Sequence, residues 1–308
     1  MNVTLITGKG GVGKTTTNVS LGLYSAVRQN KKTGIIDYDG GHSVKNVLGV
    51  DTDISPNQVH QIRENLSVIV IEHKPFRDIG SAKQQGWSMQ VYLEQFPDDL
   101  GIVPFADMLQ EFFGVPTDVH GAEKFALLVQ AICLFEQQEF EEVYIDVEPT
   151  AGLERLLLKA DAMERSLRNL QKTGWFTLKA LGTKWPDVAA YIQGDYIKYA
   201  HRYTSNIARA VRYIRNALFL IVCTPESGPV RQTFEVRTII ETFGGAVRGC
   251  IVNNIRGESH EDKNIALLEN HALPIVRIKR ASSIHGEKKI HAALLYIGEE
   301  INHLFETV

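Results

Sequence analysis

The chain opens MNVTLITGKGGVGKTTTNVS, and one spacing inside that stretch leaves it few folds to adopt. Gly8, Gly13, Lys14 and Thr15 satisfy Gly-x-x-x-x-Gly-Lys-[Ser/Thr], between a β-branched run, Val3 to Thr7, and a helix expected to begin near Lys14. Strand, glycine-rich turn and helix in that order let successive backbone N–H groups converge on an anion, and the helix N-terminus adds partial positive charge. A phosphate fits this arrangement: Lys14 is placed to reach its oxygens, and Thr15 to offer a hydroxyl to Mg2+. Such a turn belongs at the carboxyl edge of an α/β sheet, so the rest of the chain should supply that sheet.

Short apolar and β-branched runs at Val3 to Thr7, Gly34 to Tyr38, Leu66 to Ile71, Glu142 to Val147, Leu218 to Cys223, Gly249 to Asn253 and Pro274 to Ile278 alternate with helical patterns. Several are continuously apolar, as expected of strands covered on both faces. The expected fold class is α/β, a P-loop NTPase with a mostly parallel central sheet flanked by helices. Between the fourth and fifth runs lie about 70 residues, several times what one crossover uses. There Ile192, Tyr196, Tyr199, Tyr203, Ile207, Ala210 and Ile214 recur at spacings of three and four, one face of a long amphipathic helix. Lys198, Arg202, Arg209 and Arg212 fall mostly on the other face, either as a solvated side or as a surface for a partner or nucleic acid. A second mainly helical segment, Ser81 to Gln138, is punctuated by Pro97, Pro104 and Pro116. The expectation is one domain over residues 1–308, with helical insertions at approximately 75–138 and 154–215 forming a helical subdomain.

Composition narrows what binds. Lys and Arg number 33 against 36 Asp and Glu, a net charge of −3, so nothing draws the whole chain to nucleic acid or anionic lipid. Cys133, Cys223 and Cys250 stand far apart in apolar surroundings and read as buried thiols of a reducing compartment. The N-terminus lacks the regions of a signal peptide, and apolar runs such as Ala217 to Cys223 fall well short of the roughly 20 residues that span a bilayer. A soluble cytoplasmic protein without an integral membrane segment is expected.

Lys9 places a second lysine in the loop. Lys9-Gly10-Gly11-Val12-Gly13-Lys14-Thr15 resembles the deviant Walker A motif, K-G-G-x-G-K-[S/T], of a class that includes MinD, ParA, the nitrogenase iron protein and the arsenite-pump and tail-anchored-protein-targeting ATPases. The resemblance implies that Gly8 through Thr16 bind ATP and that Lys9 reaches across a homodimer interface to the partner's nucleotide. The plainer alternative is a solvated loop lysine.

Two further stretches are similar to the arsenite-pump and tail-anchored-targeting, ArsA-like branch. In IIDYDGGHSVKNVLGVD, Asp39, His42 and Ser43 fall on its D-x-x-H-S switch I pattern, with Gly40 and Gly41 in place of Pro and Ala. By that match Asp39 orients or activates the attacking water; it is also suited to cap the short helix that follows. In YIDVEPTAGLERLLLKAD, Asp146, Pro149, Thr150, Ala151, Arg155 and Leu157 fall on the switch II pattern D-x-A-P-T-[GA]-x-x-x-R-x-L, with Glu148 in place of alanine. There Asp146 matches the acid that, with Thr15, holds Mg2+ directly or through water, and Pro149-Thr150-Ala151-Gly152 matches the γ-phosphate sensor. CTPESGPVRQ leads on to a strand carrying Val252-Asn253, and by the same match Asn253 contacts adenine. A turn role is its alternative.

What the resemblance implies is a Mg2+-dependent ATPase, converting ATP and water to ADP and phosphate. It would act as a nucleotide-switched homodimer that binds a protein client, as a targeting factor or chaperone, with Lys14, Asp39 and Lys9 in catalytic roles. Trp87, Phe112, Phe113, Trp175, Phe176 and Trp185 could line a groove for a hydrophobic client segment or simply pack a core. The chain lacks the clustered cysteines of the metalloid-binding branch and has no Cys-x-x-Cys. Two other readings stay open. One is a ParA- or MinD-like spatial regulator whose dimer binds DNA or membrane, against which the interleaved charges of IHGEKKIHAALLYIGEEINHLFETV argue. The other is a nucleotide-binding switch with little hydrolysis, suggested by Gly40, Gly41 and Glu148.

Overall fold

The computed structural model describes residues 1–39, 43–49, 54–72, 119–147, 150–169, 195–271, 273–280 and 287–306. Eight strands, β1 (Asn2–Gly8), β2 (Thr33–Asp37), β3 (His60–Arg63), β4 (Leu66–Val70), β5 (Glu142–Asp146), β6 (Leu218–Cys223), β7 (Ala246–Ile255) and β8 (Ile275–Lys279), form one sheet in the order β3-β4-β2-β5-β1-β6-β7-β8. Only the β3–β4 pair is antiparallel. All seven expected runs are strands. The additional one, β3, is HQIR: four residues, alternately half-buried and exposed, joined to β4 by a short turn with an irregularity between Gln61 and Arg63. An edge strand with a wet face needs no apolar run, which is why hydrophobic pattern alone passed over it.

Eight helices are described: α1 (Lys14–Val27), α2 (Ser43–Leu48), α3 (Val119–Gln137), α4 (Thr150–Asn169), α5 (Asp195–Arg215), α6 (Ser227–Thr242), α7 (Ser259–Glu269) and α8 (Glu287–Glu306). Alternation within the buried strands sends neighbouring residues to opposite faces. Val222 and Ile251 pack with Leu21 of α1 and Ile301 and Leu304 of α8. Cys223, Cys250 and Val252 pack on the other side with Val230 of α6 and Ile265 and Leu268 of α7. The apolar stripe of α8 is thus occupied by the core, Leu294 included. No described helix is long and apolar enough to cross a membrane.

The α1–α8 contact is close enough to exclude a methyl group. A Cβ on Gly298 would lie 2.4 Å from the Ser20 carbonyl oxygen and 2.5 Å from Tyr24 Cβ. Alanine is the better helix former by ~1 kcal/mol, yet overpacking a tight core costs ~1–3 kcal/mol, and here backbone must move. Gly298→Ala is expected to lose about 2 kcal/mol in urea unfolding; a gain would mean that propensity decides at this crossing.

The described chain divides into two compact units. The first carries the sheet with α1, α2, α6, α7 and α8; the second contains α3 up to Cys133, α4 from Leu158 and α5 up to Arg212. Within the second, Ile207, Ala210 and Val211 of α5 are buried, and Cys133 Sγ donates to the Asn206 carbonyl at 3.5 Å. Arg209 is half-buried and donates to Asn206 Oδ1, while Arg212 is exposed. The remaining stripe and basic positions named above, apart from buried Ile214 in the first unit, lie outside the described side chains, as do the six insertion aromatics.

Candidate functional site

The strand order changes direction at β1, with β5, β2 and β4 on one side and β6, β7 and β8 on the other. Ligands of open α/β sheets bind beyond the carboxyl ends of strands at such a point. There the chain leaves β1 at Gly8, turns through Lys9 to Gly13, and enters α1 at Lys14. Val12 is buried in the cluster of Ile6 and Val222, which anchors the turn, whereas Lys9, Gly10 and Gly11 are exposed. Gly13 has φ 101°, a conformation that disfavours a Cβ. The space such an atom would take lies 2.3 Å from Asn253 Nδ2.

Lys14 is only 5% exposed, and its Nζ lies 3.5 Å from Oδ2 of Asp39, just past the end of β2. Thr15, half-buried beside Thr16 in the first turn of α1, donates through Oγ1 to Asp146 Oδ2. Asp146 closes β5, with Ile6 of β1 on one side and Asp37 of β2 on the other, and is fully buried. Burial pushes its carboxyl pKa up to about 7; the Thr15 hydrogen bond and the Lys14 charge oppose this, while Asp37 and Asp39 add to it. Its Oδ1 is buried without a hydrogen-bond partner. An orphaned acceptor on an acid whose charged form burial disfavours is what a hard cation would relieve. Carboxylate and hydroxyl oxygens are the donor types that suit Mg2+, so these residues fit that ion.

The geometry therefore brings Lys14, Thr15, Asp39, Asp146 and the loop glycines together, with Asn253 against the loop: its Nδ2 donates to the Val12 carbonyl oxygen at 2.9 Å. Asn253 and Asn254 both lie within β7, so neither forms a turn; Asn254, at φ 63°, falls between Val252 and Ile255, where the pairing with β8 shifts register. Thr150 opens α4 and accepts a hydrogen bond at 2.8 Å from Gln232 of α6. Gly40, Gly41, His42, Glu148 and Pro149 lie outside the described residues. Two residues went unread in the sequence. Asp37, fully buried, could have been found as the acid that ends the apolar run of IIDYD. Gln232 carries no local signal. Among the described residues no group of three or more His, Cys, Asp or Glu side chains is arranged to hold a metal by themselves.

Comparison with known proteins identifies the family. The family model described as anion-transporting ATPase matches residues 1–302. "ATPase ASNA1 homolog 1" of Paramecium tetraurelia is 30% identical over 163 residues, 53% of this chain and 45% of that protein. A Chlorobaculum tepidum protein provisionally assigned as an arsenical pump-driving ATPase is 24% identical over 278 residues, 83% of this chain and 61% of that one. "ATPase ASNA1 homolog" of Entamoeba histolytica is 29% identical over 167 residues, 52% of this chain and 48% of its own. The chain spans about half the length of these curated relatives. Because the family match runs across nearly every residue, from β1 into α8, this chain belongs to the anion-transporting ATPase family.

Proposed function

We propose that the chain binds ATP with Mg2+ at the phosphate loop, hydrolyses it to ADP and phosphate, and works in the cytoplasm as a homodimer whose nucleotide state governs binding of a protein client. The observation that carries the reading is the approach of Lys14 Nζ to the Asp39 carboxylate, 3.5 Å, at the switch point of the sheet. In this proposal Lys14 and the loop N–H groups from Gly8 to Thr16 hold the phosphates. Asp39 orients the attacking water and takes up its proton as the bond to the γ-phosphorus forms and the bond to the leaving ADP oxygen breaks. Thr15 and Asp146 hold Mg2+, which when bound neutralises charge on the phosphate oxygens.

The same ion pair supplies a switch. A phosphate bound at the loop competes with Asp39 for Lys14 and leaves the carboxylate to water. Thr150, with Pro149 beside it, responds to the γ-phosphate from the start of α4, a helix shared by both units, and the helical insertions carry the client surface. A hydrophobic segment is the client class proposed. The names of the ASNA1 and arsenical-pump relatives, all ATPases, support the hydrolytic part of this reading.

Asp39→Asn tests it, because the amide keeps the shape of the side chain and loses the basic oxygen. Phosphate release is expected to fall by about a hundredfold, with ATP affinity retained or raised, because the neutral amide no longer competes for Lys14. Turnover at the wild-type rate would remove Asp39 from the mechanism.

A further inference from the structure

Resting on the proposal that the loop binds phosphate, we infer that Asn253 is a positioning residue that holds the Val12–Gly13 peptide in its anion-binding orientation. Gly8 pairs with Val222 of β6, and Cys223 pairs with Val252 of β7, so Asn253 stands just beyond that row and its amide reaches over the end of β6 to the loop. It meets the Val12 carbonyl oxygen at 2.9 Å.

A trans peptide is planar, and its C=O and N–H point in opposite directions. Tying the Val12 carbonyl to β7 therefore aims the Gly13 N–H away from β7. Without the tie this peptide is the weak point of the loop. Gly13 tolerates φ values closed to other residues, so the plane could turn over and present a carbonyl oxygen where an N–H is needed. Gly13 also makes the tie sterically possible, because a Cβ there would lie 2.3 Å from the Asn253 nitrogen. The glycine leaves room for the amide, and the amide removes the freedom that the glycine brings.

This role differs from contact with a base, and two ligands separate them: Mg2+ with inorganic tripolyphosphate, which has no base, and Mg2+ with ADP. Calorimetric titration of Asn253→Ala is expected to show both ligands weakened by the same factor, about tenfold, the equivalent of ~1.4 kcal/mol. Asn253→Asp is the second variant; it preserves shape but sets a carboxylate oxygen against the Val12 oxygen, and is expected to lose at least as much at pH 8. It decides the matter if the alanine chain does not fold. Loss confined to ADP, or no loss with either ligand, overturns the inference. So does a wild-type chain that binds ADP but not tripolyphosphate. A wild-type chain that binds neither ligand overturns the phosphate-site proposal itself, and this inference with it.

Discussion

Lys9→Ala is expected to lower ATP turnover by about 10³-fold or more while ATP affinity stays within about a factor of three. The loop holds two lysines in unlike settings: Lys14 is 5% exposed and paired, whereas Lys9 is exposed beside Gly10 and Gly11. An exposed charge in water contributes ~0–1 kcal/mol to any pair it makes, so Lys9 adds little to nucleotide binding by a lone chain. In the proposed homodimer the same charge would be desolvated against phosphate oxygens, where transition-state charge is stabilised far more strongly. The rate effect should therefore appear only where two chains meet, and wild-type turnover per chain should rise with protein concentration. Mixing makes the test specific. In a Lys9→Ala/Lys14→Ala heterodimer, one site has its own Lys14 and its neighbour's Lys9. An equal mixture should thus regain about a quarter of wild-type turnover if dimers form at random. If Lys9 acts within its own chain, mixing restores nothing.

What could be read from the chain in advance was the chemistry that lies close together in sequence. Gly8 through Thr15 form a local motif, and their strand and helix flanks fall where the motif demands. The runs Leu66–Val70 and Leu218–Cys223 are apolar because both faces of those strands are covered. Asp37 shows where such reading falters. Its neighbour Asp39 matches a known switch pattern, and only the register of β2 against β5 sets Asp37 beside Asp146. Asn253 and Val12 are 241 residues apart, and Gln232 and Thr150 are 82 apart. No periodicity or propensity predicts contacts of that range. They follow from β7 lying two strands from β1 and from α6 lying near the start of α4, facts of sheet order and helix placement rather than of local sequence.

Asp146→Asn should give a chain that is more stable and nearly inactive. The folded carboxyl titrates near 7 against a reference of 3.8, raised chiefly by burial. Between those values the folded chain holds a proton that the unfolded chain has released, so its stability falls as pH rises. The contribution is complete below about pH 4 and is lost as pH climbs through about 7; the whole span amounts to up to ~4 kcal/mol. Asparagine carries no charge and keeps an oxygen for the Thr15 hydroxyl. In urea titrations from pH 5 to 8, wild-type stability is expected to decline while that of Asp146→Asn stays level on this account, leaving the variant ahead at pH 8 by up to ~4 kcal/mol. Turnover is expected to drop by about 10³-fold, since charge neutralisation by Mg2+ supplies several kcal/mol and the variant lacks its carboxylate. Adding Mg2+ with ADP at pH 8 should stabilise wild type more than the variant, because only wild type has a buried charge to relieve. Wild-type stability that rises from pH 5 to 8, with the variant the weaker at pH 8, would mean that the protein already compensates Asp146 without the ion. The cost of ionising Asp146 in the empty site would then be no part of what nucleotide binding relieves.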